Sequence, residues 1–330
     1  MRHGDRSRPL RGIRELIDVP TLVTGRSAVG WLVRPAVGGS PRANAIALAV
    51  LRVVAGLLWL YNVRWKRPPD FGQSTGGSLY GYTRDAVEHP VFAPYSWVVE
   101  HLVLPNFVAF GWLVLVVESL LAVLLLSGTL VRLAALIGVG QSLAITLSVA
   151  QTPGEWPWSD WMMIGIHVAL LFTAAGAAGS VDAVRAHGPV DSGVRLLRGW
   201  GVVAGVVAVV ALILSAGADP LASPGSIVGK QSLQVTLGSY NLLGAVVLLA
   251  VGVLMLAGAA MRRPWPVRVA AVVAALAAVS LYAQVGQADT WLGGTNASAA
   301  FFVCAALVAA VTAGRTGVRS GQRHKLEADR

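Results

Sequence analysis

Pro105 to Gly128 reads PNFVAFGWLVLVVESLLAVLLLSG. At about 1.5 Å per residue, a run of this length and apolarity matches the roughly 30 Å hydrocarbon core of a bilayer. It carries a single carboxylate, Glu118, near its middle. An ionised carboxylate in hydrocarbon is costly, so Glu118 is expected to be protonated, paired with a base or open to water. Arg52, inside an earlier apolar run, offers a partner, and His167 lies in a later one.

The composition extends this reading to the whole chain. Of the 330 residues, 55% are hydrophobic and 13% charged, and the apolar residues come in runs of span length rather than at amphipathic spacing. The chain reads as an all-α, polytopic transmembrane helix bundle in a lipid bilayer, with about eight spans. They fall at Asn44 to Asn62, Pro105 to Gly128, Val131 to Ala150, Trp158 to Ala178, Gly199 to Ala218, Ser239 to Met261, Trp265 to Gln284 and Ala297 to Gly314. The net charge of +10 would suggest nucleic acid in a soluble domain. Here it collects at span ends, where topology explains it, and nucleic-acid binding is not expected. The single cysteine, Cys304, excludes an internal disulfide, a CxxC redox pair and a thiolate metal cluster.

Charge also orients the chain. With both termini cytoplasmic, the cytoplasmic segments hold twenty of the twenty-six Lys and Arg residues. The expected organisation is a basic cytoplasmic arm at 1–43, four-helix units at 44–184 and 199–314, a cytoplasmic linker at 185–198 and a basic tail at 315–330. Part of the arm is a candidate interfacial helix. Trp residues at 65, 156, 158, 161, 265 and 291 sit at span ends, as an aromatic belt would. Arginine-rich, Ala/Val/Gly-rich usage fits a bacterial cytoplasmic (inner) membrane protein. AQTPGEW at 150 to 156 is echoed by AQVGQADTW at 283 to 291, each at the external end of its half's third span. This pattern reads as a parallel tandem duplication. The second copy lacks counterparts to Arg52, Glu118 and His167.

Counting helical rise from the external span ends puts Arg52, Gln141, His167 and Glu118 near the midplane. Polar groups at one depth on four consecutive helices are expected to face one interior, with an Arg52–Glu118 pair at its centre. Three readings stay open: a structural clasp fixing helix register, a quinone headgroup site or proton route, and a path for ions or solutes. Under the second, Glu118, His167 and Arg52 are the catalytic candidates, and Gln141 and Trp161 join them in binding quinone. No metal is predicted, since His89 and His101 stand twelve positions apart in a stretch of uncertain structure. The loop after the first span carries Arg64, Lys66, Arg67 and Arg84 on the side that otherwise has little positive charge, a candidate binding site for a small anionic substrate. The alternative is that these residues snorkel or that Arg84 pairs with Asp85 or Glu88. Within that loop, Val91 to Leu104 reads as a re-entrant or interfacial helix. Asn296-Ala-Ser has the form of a glycosylation acceptor and is read as chance; Cys304 reads as packing.

Residues 44–184 resemble the DoxX/DoxD family of four-span membrane proteins. The resemblance rests on Leu51-Arg52 with Gly56, Arg64-Trp65-Lys66, Glu118, LLSGTLVRLAAL at 125 to 136 and AAGAAGSVDA at 174 to 183. It implies membership of a quinone-linked sulfur or thiol redox system of the thiosulfate:quinone oxidoreductase type, with a small partner subunit or soluble redox partner. By position it carries over Arg52, Lys66, Glu118, Arg132 and Asp182. The resemblance therefore implies an oxidoreductase subunit with quinone as cofactor. The alternatives are a non-catalytic scaffold or anchor for redox proteins, and a transporter subunit; oligomeric state stays open.

Overall fold

The computed structural model describes residues 25–35, 42–186, 190–223, 225–287 and 289–316. Expectations for 1–24 and for the tail beyond Thr316 lie outside the described residues. The helices are α1 (Gly25–Val33), α2 (Arg42–Trp65), α3 (Ser78–Glu88), α4 (Ala93–Val98), α5 (Phe107–Ser127), α6 (Val131–Val149), α7 (Pro157–Phe172), α8 (Val181–Arg185), α9 (Val190–Leu214), α10 (Leu242–Met261), α11 (Pro264–Ala283) and α12 (Asn296–Thr316).

Among the described residues seven helices are long and apolar enough to cross a membrane, which makes this a multi-pass membrane protein in contact with lipid. The helix at the expected fourth span, α7, has 16 residues, about 24 Å, and is shorter than a usual crossing. Its N-terminus begins at Pro157, where a missing amide costs nothing. The second span is longer than its apolar run. Helix α4 continues through a π-helical turn at Val99–Val103 and a 3-10 turn at Leu104–Asn106 into α5, a continuous 35 residues. Pro105 has no amide to bond the preceding turn, and the helical hydrogen bonding adjusts around it. The expected linker at 185–198 is largely absorbed into α9.

Long segments at 66–92 and 225–241 lie on one face of the bundle, and the turns at 128–130, 173–180 and 262–263 on the other. The second long segment departs from the all-α expectation. Ser226–Lys230 and Val235–Tyr240 form an antiparallel hairpin, β1 and β2, with Ser226 opposite Tyr240 and Lys230 opposite Val235. On the opposite face the short helix α1 lies against α6: Trp31 packs on Phe172, and the Arg132 guanidinium sits 4.6 Å from the Trp31 ring centroid.

Among the longer helices α2 pairs with α5, α6 with α7, α9 with α10 and α11 with α12. Helix α12 also packs on α5 and α2 and joins the halves. It is the most enclosed span, 67% buried against 33–56% for the others. Its Ala297, Ala300 and Cys304 belong to the apolar core of the first half. Small side chains permit this close approach. At its start, buried Asn296 donates from Nδ2 to the carbonyls of Lys66 (2.8 Å) and Val63 (3.4 Å). This residue ties the end of α2 to the second half and is not an open glycosylation acceptor.

Asn296→Asp keeps the shape but turns the donor into an acceptor facing two carbonyls. We expect it to remove roughly 1–3 kcal/mol of stability, read as a lower melting temperature in detergent than Asn296→Ala gives.

Candidate functional site

The buried face of α5 runs through Gly111, Val114, Leu115, Glu118, Ser119 and Ala122, so Glu118 points into the bundle. Its counter-charge is Lys66. Nζ lies 2.6 Å from Oε2, with side-chain exposures of 3% and 1%. Gln141, on α6, donates from Nε2 to the other carboxylate oxygen at 3.2 Å. The ammonium also lies 3.4 Å from the Asn62 carbonyl and 3.9 Å from the Trp65 ring centroid.

Lys66 is the first residue beyond α2. Its aliphatic stem lets the ammonium turn back into the protein, and it does not join the basic surface expected from Arg64, Lys66, Arg67 and Arg84.

The expected Arg52–Glu118 pair does not form. Arg52 is buried at the end of α5 instead, where Nη1 donates to the carbonyls of Leu125 and Leu126 and Nη2 to those of Ala178 (3.3 Å) and Gly179 (2.9 Å). A guanidinium at a helix C-terminus satisfies carbonyls that lack intrahelical partners and complements the helix dipole. Gly128, in the left-handed conformation at φ 68°, ends α5 there, and a Cβ at that position would fall 2.6 Å from Arg52 Nη1. The charge facing Arg52 comes from Asp182. That fully buried carboxylate accepts the amides of Leu130 (3.1 Å) and Val131 (3.0 Å) at the start of α6, and a bond from Arg185 at 3.2 Å. Arg52 and Asp182 thus fix the turn between α5 and α6 against the turn after α7.

His167 belongs to neither cluster. Its Nε2 accepts from the Trp59 indole at 2.9 Å and its Nδ1 lies 2.7 Å from the Met163 carbonyl. That pairing assigns the proton to Nδ1 and a neutral ring, with both nitrogens occupied. The ring packs on α6 at Gly138, where an added Cβ would lie 2.0 Å from His167 Cδ2.

The four predicted interior groups therefore divide into Glu118 with Gln141, Arg52 with the α5 terminus, and His167 with Trp59. Trp161 is 62% exposed on α7, apart from all three and close in sequence to exposed Trp156 and Trp158. Among the loop residues, Arg84 pairs with Glu88 at 2.9 Å. Arg64 and Arg67 line an open concavity of about 320 Å³ together with Tyr61, Trp65 and Gln231. His101 stacks on Trp97, away from His89. The ligand atoms of Asp85, Glu88 and His89 lie within 4.8 Å of one another, but Glu88 is already held by Arg84. Cys304 is buried at the seam between the halves.

Comparison with protein-family models, with curated proteins and with solved structures finds no match.

Breaking a buried ion pair by removing one partner leaves the other charge uncompensated, at a cost of about 3–5 kcal/mol, whereas removing both charges costs much less. We therefore expect Lys66→Met to lose more thermal stability than the Lys66→Met, Glu118→Gln double variant. Equal losses would show that the two groups are not coupled.

Proposed function

We propose that this chain is a multi-pass scaffold of the bacterial cytoplasmic membrane, serving a DoxX/DoxD-like sulfur or thiol redox system that delivers electrons to quinone. In this reading the chain organises the complex, and a small subunit or soluble redox partner supplies the electron-carrying centre.

The observation behind the scaffold role is that the three interior groups singled out as catalytic candidates are engaged by the chain itself. Glu118 is held by Lys66 and Gln141, Arg52 by four carbonyls, and His167 by Trp59 and Met163. Groups engaged in this way fix helix register and orientation. The family reading draws support from the way its carried-over positions associate. Lys66 pairs with Glu118, Arg52 faces Asp182, and Arg132 lies near the start of the helix that Asp182 caps.

We further propose eight crossings in two parallel four-helix repeats. The matching order of helix pairing in the two halves favours the duplication. Helix α7 crosses with its flanking segments where the bilayer thins locally, and Trp156, Trp158 and Trp161 sit at the interface. The basic short-turn face is cytoplasmic, together with both termini.

The test is thiosulfate- or thiol-dependent quinone reduction by membranes of a deletion strain complemented with the parent chain or with folded His167→Phe. The expected result is activity restored by both, within about twofold of each other. Activity lost in the folded variant would make His167 part of a redox site, and no difference between the deletion and the parent would refute the redox role.

A further inference from the structure

The sequence Arg64-Trp65-Lys66-Arg67 ends the first span, and its charges part company in the structure. Lys66 turns inward to Glu118, leaving Arg64 half-buried and Arg67 exposed. Neither Arg64 nor Arg67 has a carboxylate partner among the described residues. Both nevertheless line one concavity, and two cations lining one concavity repel each other unless an anion lies between them.

The rest of the basin suits such an anion. Tyr61 and Trp65, four residues apart, lie on one side of α2 and supply aromatic surface and a phenolic donor. Gln231 comes from the hairpin of the second half, directly after β1, and offers an amide. Guanidinium groups bind phosphate oxygens in pairs of charge-assisted bonds. The volume, about 320 Å³, is at the lower end for small-molecule sites, which run from roughly 300 to 1,000 Å³. Arg64 lies in the last turn of a helix long and apolar enough to cross a membrane, and basic residues at such helix ends commonly meet phospholipid headgroups.

We propose that this basin binds a phosphate-class oxyanion, carried either by a phospholipid headgroup or by a small soluble molecule, and that the second half completes the site through Gln231. The site does not depend on the redox reading. Arg64 and Arg67 supply the charge, Tyr61 and Gln231 the neutral donors, and Trp65 one wall.

The test uses the full chain in maltoside micelles and two probes. Inorganic phosphate is titrated by calorimetry. In parallel, native mass spectrometry measures retention of phosphatidylglycerol against phosphatidylcholine after release from nanodiscs of each lipid. Arg67→Gln and Gln231→Leu are compared with Arg84→Gln, which lies outside the basin, after their melting temperatures are matched to the parent. Phosphate binding weakened at least about tenfold in Arg67→Gln, and measurably in Gln231→Leu, supports the site with a free oxyanion as ligand. Selective phosphatidylglycerol retention lost in the same variants supports it with a lipid as ligand. Binding of neither probe, or losses no larger than in Arg84→Gln, overturns the proposal, and an unaffected Gln231→Leu overturns the contribution of the second half.

Discussion

A carboxylate enclosed among apolar helices must be neutralised, and the position of its counter-charge constrains everything around it. Here Glu118 meets Lys66 at 2.6 Å, and Gln141 takes the remaining oxygen. This fixes α2, α5 and α6 relative to one another. The backbone of Lys66 carries the constraint onward, because its carbonyl receives Asn296 and so docks α12 against the first half. One residue thereby links the interior charge of the first half to the most enclosed helix of the second.

At the other end of the same helices, Arg52 and Asp182 play a comparable part. Arg52 closes the C-terminus of α5, and Asp182 caps the start of α6. The α5–α6 turn is held by charges of both signs, each used against a helix end of the opposite polarity. The Trp59–His167 bond lies between these two clusters on α2 and α7. All three join elements distant in sequence and use hydrogen-bonding capacity that would be costly to leave unmet in an apolar interior.

Much of this was legible in the sequence. The apolar runs located the crossing helices to within a few residues in most cases, and the rarity of charge inside them singled out Glu118, Arg52 and His167. The pairing was not legible, for a geometric reason. Counting depth from the external ends of the runs assumes that the helices end level. In the structure α2 overshoots α5, so Arg52 reaches the carbonyls of Leu125 and Leu126. Glu118 lies nine residues before the end of α5, about 14 Å along the helix. Lys66, four residues beyond the apolar run, reads as loop because charge patterns do not show which way a long flexible stem turns. Trp59 as the histidine's partner leaves no charge signal at all. The β-hairpin at 226–240 lies in a stretch whose small and polar residues carry no clear strand alternation.

The account stands on the Lys66–Glu118 pair being formed and ionised in a bilayer. The chain has only three lysines, Lys66, Lys230 and Lys325, so selective labelling can isolate it. Solid-state NMR on protein in lipid, with ¹⁵Nζ-lysine and ¹³Cδ-glutamate, should show one strong dipolar contact between a charged ammonium and a deprotonated carboxylate, absent in Glu118→Gln. A protonated Glu118, or no such contact in the parent, would contradict the account.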